Sequence, residues 1–82
     1  MPHQTIIVRA SWDPEAQVWV AESEDVPGLV AEAATFEVLQ DTVLTRIGEL
    51  ISLNGSQSTL PEIPVHILAE LTVRIANPVA AP

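Results

Sequence analysis

From Thr5 to Trp12 apolar and polar positions alternate. Ile6, Val8, Ala10 and Trp12 fall on one side, and Ile7, Arg9 and Ser11 on the other. That two-residue period predicts a β-strand. Asp13-Pro14-Glu15-Ala16 reads as a type I turn, and Gln17–Ser23 as a second strand folding back as an antiparallel hairpin. Setting Trp12 opposite Gln17 places Ala10 opposite Trp19 and Val8 opposite Ala21. One face of the hairpin then carries Ile6, Val8, Trp12 and Trp19, and the other Ile7, Val18 and Val20. Pro27-Gly28 marks the next turn. Leu29–Ala33 is short and Ala-rich, either a third strand or the start of the following helix.

The period changes at Phe36. Phe36, Leu39, Val43, Ile47, Leu50 and Ile51 form one stripe at helical spacing, while Glu37, Gln40, Asp41, Thr45 and Glu49 lie opposite. Thr35 is placed as the N-cap, Glu37 suits the first turn, and Asn54-Gly55 supplies the stop. Ser56–Pro61 reads as a surface loop. Alternation returns from Pro64 to Ile75, with Val65, Ile67, Ala69, Leu71, Val73 and Ile75 on one side and His66, Leu68, Glu70, Thr72 and Arg74 on the other. The pattern predicts an α+β domain of order β-β-β-α-β over residues 1–76, a small sheet with one helix packed on a face, and a frayed tail over 77–82.

The last strand is too long for such a domain. Twelve residues at about 3.3 Å each reach roughly 40 Å, against roughly 27 Å for a helix of about 18 residues. Its end is expected to project with Leu71, Val73 and Ile75 uncovered; the alternative is a break near Ala69–Glu70, with the rest bent back on the same sheet. An exposed apolar strand invites pairing with another chain. A chain of 82 residues without Cys has no disulfide staple and tends to borrow core from a partner subunit. A homo-oligomer, dimer or tetramer, is the expectation, with Leu71, Val73 and Ile75 in the contact. Trp12 and Trp19 are left open between an anchor for a partner and core beneath the helix.

Charge narrows the function. Eleven Asp and Glu against three Arg and no Lys give a formal net charge of −8. Binding to nucleic acid is not expected, because phosphates are neutralised by clustered cations and Arg9, Arg46 and Arg74 stand apart. No basic segment followed by an apolar run opens the sequence, and no apolar run reaches membrane-spanning length, so a cytoplasmic protein without membrane attachment is expected.

Little points to catalysis. Glu22, Glu24 and Asp25, with Glu15 or Glu32, could hold a divalent ion, yet they lie at a turn where carboxylates are usually solvated. His3 and His66 have no second ligand at metal-binding spacing. Gly28, Gly48 and Gly55 are too isolated to cradle phosphate. Asn54-Gly55-Ser56 matches a glycosylation acceptor but is read as a helix stop. No catalytic, cofactor or metal site is assigned, and an enzyme is not expected.

Trp19-Val20-Ala21, the turn Asp25-Val26-Pro27-Gly28-Leu29 and the helix TFEVLQDTVLTRIGEL together resemble the HicB-like antitoxin superfamily, in particular a small single-domain subfamily. The resemblance implies a partial ribonuclease-H-like fold without the nuclease carboxylates. It also implies dimers or tetramers, and neutralisation of a small basic RNA-cleaving toxin of the HicA type. The acidic charge fits a basic partner. Many HicB antitoxins carry a C-terminal helix-turn-helix or ribbon-helix-helix domain; this chain ends in a strand and tail, so operator binding is not expected. Two other readings are a small-molecule-sensing module using the face with Trp12 and Trp19, and a structural oligomerisation domain without a toxin. A relict metal-dependent nuclease using Glu22, Glu24 and Asp25 is a further one, and would require Mg²⁺-dependent RNA cleavage lost on Glu22→Gln.

Overall fold

A computed structural model describes residues 5–54 and 61–79. Strands β1 (Ile6–Asp13), β2 (Val18–Glu22) and β3 (Val30–Ala33) precede helix α1 (Phe36–Asn54), and β4 (Val65–Glu70) follows it. This is the expected α+β order. The four strands form one sheet in the order β3-β2-β1-β4. β1, β2 and β3 are antiparallel neighbours, while β4 lies parallel to β1. A parallel neighbour needs a crossover, and α1 provides it by packing on one face of the sheet. His3, Gly55, the loop 56–60 and the tail end 80–82 lie outside the described residues.

The hairpin register differs from the expected one. Trp12 pairs with Trp19, not Gln17, and Ala10 pairs with Ala21. Asp13 stays in the strand opposite Val18, so four residues, Pro14–Gln17, make the loop. The Asp13 side chain causes this. Its Oδ1 accepts the N–H groups of Glu15 (3.0 Å) and Ala16 (3.3 Å), and its carbonyl accepts that of Gln17 (2.8 Å). Gln17 closes the loop at φ 59°. A shift of two residues preserves the faces, so Ile6, Val8, Ala10, Trp12 and Trp19 still look toward the helix.

Leu29–Ala33 resolves as a strand from Val30 onward and does not join the helix. The preceding turn is of type II. Leu29 N–H donates to the Val26 carbonyl at 3.1 Å, Pro27 holds the second position, and Gly28 takes φ 89° at the third. Thr35 caps α1 as expected, its Oγ1 accepting the Val38 N–H at 3.2 Å.

The core lies between α1 and the sheet. Leu39, Val43 and Ile47 of the helix stripe are buried, with Val8, Ala10, Ala21, Ala31 and Ala33 beneath them. Four alanines in register, Ala31, Ala21, Ala10 and Ala69, run across all four strands. Single methyl groups leave room for the helix to sit close, and it does so over β2 and β3. Val26 and Leu29, on either side of the Pro-Gly turn, are also buried and plug one end of this core.

β4 ends at Glu70, short of the expected Ile75. Beyond it, residues 71–79 are exposed throughout. The radius of gyration, 16.6 Å with a longest extent of 60 Å, exceeds the roughly 12 Å of a compact chain of this length. The segment projects instead of folding back. Pairing with β1 ends at Ser11–Glu70, two residues before β1 itself ends at Asp13.

Candidate functional site

Among the described residues, two surfaces are left without cover. The first is the sheet face opposite α1. Alternation along each strand sends Ile7, Arg9 and Ser11 of β1, Val18, Val20 and Glu22 of β2, and Val30 and Glu32 of β3 to this side. His66, Leu68 and Glu70 of β4 join them. The register sets Val30, Glu22, Arg9 and Leu68 in one row across the sheet, and Glu32, Val20, Ser11 and Glu70 in the next. Ile7, Val30 and Leu68 are exposed, at 43%, 61% and 38%. Apolar side chains are thus interleaved with carboxylates, and Arg9 is the one cation among the described residues of those two rows.

The acidic turn Glu22–Asp25 borders this face. With Ile7, Arg9 and Ser23 it lines a depression of about 310 Å³. Asp25 has a structural task there: its Oδ2 accepts the Ile7 N–H at 2.8 Å. The Ser23 hydroxyl donates to the Ile7 carbonyl at 2.7 Å and accepts the Asp25 N–H at 3.1 Å. Glu15 lies in the hairpin loop at the far end of β1, away from Asp25. Among the described residues no three His, Cys, Asp or Glu side chains converge to hold a metal ion. His66 is exposed on the open face, opposite Ile7.

Trp12 and Trp19 lie on the helix side. Their rings meet edge to face with centroids 5.6 Å apart, and Trp19 meets Phe36 likewise at 5.3 Å. Both indoles are half-buried, and Trp19 packs against the core where α1 begins. The structural role of Asp25 and Ser23 escaped the sequence reading, although a Ser-x-Asp run directly after a strand is a signal for such local bonding.

The second uncovered surface is the projecting segment. Leu71, Val73 and Ile75 are 56%, 72% and 86% exposed. In sequence they continue the alternation of Val65, Ile67 and Ala69. No helix among the described residues is long and apolar enough to cross a membrane.

These features define a small α+β domain, a four-stranded mixed sheet with a helix on one face and the other face open. The chain belongs to the family described as "Domain of unknown function (DUF1902)", whose model matches residues 5–77. It is similar to a crystal structure described as hypothetical protein TTHA1013 from the extremely thermophilic bacterium Thermus thermophilus. That likeness has 45% sequence identity and a TM-score of 0.66, covering 89% of this chain and 99% of the other. No curated protein matches the chain.

Proposed function

We propose that this chain is a non-enzymatic, HicB-like antitoxin domain that binds and neutralises a small basic RNA-cleaving toxin of the HicA type. The observation that carries the reading is the open sheet face, where Ile7, Val20, Val30 and Leu68 alternate with Glu22, Glu32 and Glu70. Exposed apolar side chains supply the energy of association when a partner covers them. The carboxylates between them select a partner of opposite charge and speed its approach. A net charge of −8 extends that field over the whole molecule. The β-β-β-α-β order and the Trp19–Leu29 sequence, which resemble HicB proteins, give the partner its class.

The reading requires a small basic protein encoded beside this chain, and the test mixes that protein with the full chain. A complex is expected at low salt that weakens as salt rises, with loss of the partner's RNA cleavage once the chain is added in equal amount. An absence of binding at low salt, or undiminished cleavage within the complex, overturns the reading.

A further inference from the structure

The edge of the sheet next to β4 and the projecting segment 71–77 are complementary to each other, yet one chain cannot bring them together. Among the described residues β4 is an edge strand and offers an unpaired row of backbone groups. Its helix-facing side is incompletely covered, because α1 lies over β2 and β3. Val65 and Ile67 are half-buried there, and Ala69 is exposed. Leu71, Val73 and Ile75 present the apolar side chains that would complete this surface. They follow β4 directly, and Leu71–Ala76 contains no Gly, Pro, Asn or Asp with which to turn back.

We propose that residues 65–77 of two copies pair antiparallel about a two-fold axis at Leu71, joining the two sheets edge to edge. The prolines set this register. Pro64 and Pro78 bracket the segment at equal distances from Leu71, and proline limits a strand because it cannot donate to the ladder. With Leu71 on the axis, Ala69 stands opposite the partner's Val73, and Ile67 opposite the partner's Ile75. All four side chains then share the helix side, and the small Ala69 receives the larger valine. Antiparallel pairing about an axis perpendicular to the sheet puts both helices on one side and closes the assembly at two copies.

Charge favours the same arrangement. All eleven Asp and Glu lie at or before Glu70, and the sole charge after it is Arg74. In this register the partner's Arg74 stands opposite Leu68 and diagonal to Glu70, within reach of a long side chain. The only cation of the projecting segment thus meets an acidic body. This pairing is independent of the toxin reading: the open faces remain free, side by side on the surface opposite the helices.

The test is mass in solution for the full chain at micromolar concentration, by sedimentation or light scattering, together with cysteine cross-linking. The expected mass is twice that of one chain, falling to one chain in Val73→Lys with the helical circular dichroism retained. The chain has no Cys of its own, so engineered thiols report without background. An equimolar mixture of Ala69→Cys and Val73→Cys chains is expected to form a covalent dimer under oxidation. Val73→Cys alone is not, because those residues stand roughly 13 Å apart along the paired strands, beyond the roughly 7 Å that a disulfide bridges. Should Val73→Lys unfold, the cysteine mixture still decides. A single-chain mass for the natural sequence, an oligomer unchanged by Val73→Lys, or cross-linking of Val73→Cys alone overturns the proposal.

Discussion

The Asp25 carboxylate accepts the backbone N–H of Ile7 at 2.8 Å, across eighteen positions of chain. β2 ends at Glu22, and from there side chains take over its role: Asp25 takes the Ile7 N–H and Ser23 the Ile7 carbonyl. The first strand is thereby held along its whole length, although its antiparallel neighbour has left the sheet.

Asp25→Ala removes that acceptor and is expected to cost about 1 kcal/mol, the size of a partly solvated hydrogen bond. Asp25→Asn keeps a side-chain oxygen and should cost less. Urea denaturation measures both. Equal midpoints for the two variants and the natural chain would show that Ile7 needs no such partner.

The alanine row makes the core sensitive to added volume. Ala21 has no exposed surface and lies under α1, so Ala21→Leu should destabilise by about 1–3 kcal/mol through overpacking. The opposite change, Leu39→Ala, empties the centre of the same contact and should cost about 2–5 kcal/mol. Leu53→Ala, at a side chain 82% exposed, serves as the control and should stay within about 0.5 kcal/mol.

Gly28 is required for its backbone. At φ 89° an L side chain is strained, whereas an added Cβ would meet only Leu50 Cδ2, at an ordinary 3.9 Å. Gly28→Ala should therefore cost about 1–2 kcal/mol from the left-handed conformation alone. Asn, which tolerates that region better, should recover part of the loss. Thermal melts of the two variants give the comparison, and an alanine variant as stable as the natural chain would contradict the turn geometry.

On the open face, Glu32→Lys changes an exposed position and should move stability by no more than about 0.5 kcal/mol, whereas Glu22→Lys sets a second cation opposite Arg9 and should cost up to about 1 kcal/mol. If a basic protein docks there, each should weaken its binding about tenfold at low salt, with the difference shrinking as salt rises. Titration at two ionic strengths checks this. Unchanged affinity would move the docking site elsewhere on the molecule.

The residues alone determined the order of elements, the helix with its Thr35 cap, the Pro27-Gly28 turn and the side on which each strand residue falls. All of these are set by neighbours a few positions away, through periodicity, capping and the permitted φ of Pro and Gly. The excess of carboxylates and an uncovered apolar stretch after the last strand were equally legible, being properties of composition and length, although the strand itself ends at Glu70 and not at Ile75.

Tertiary structure decided the rest. β4 pairs parallel with β1, the hairpin slips by two residues to hold Asp13 in the strand, and Val26 and Leu29 turn inward to fill the core. Asp25, one acidic residue among several in the sequence, acquires its role only when Ile7 lies beside it. Such outcomes depend on contacts between distant segments, where many pairings satisfy the same local pattern. Burial of apolar surface and completion of backbone hydrogen bonds choose among them.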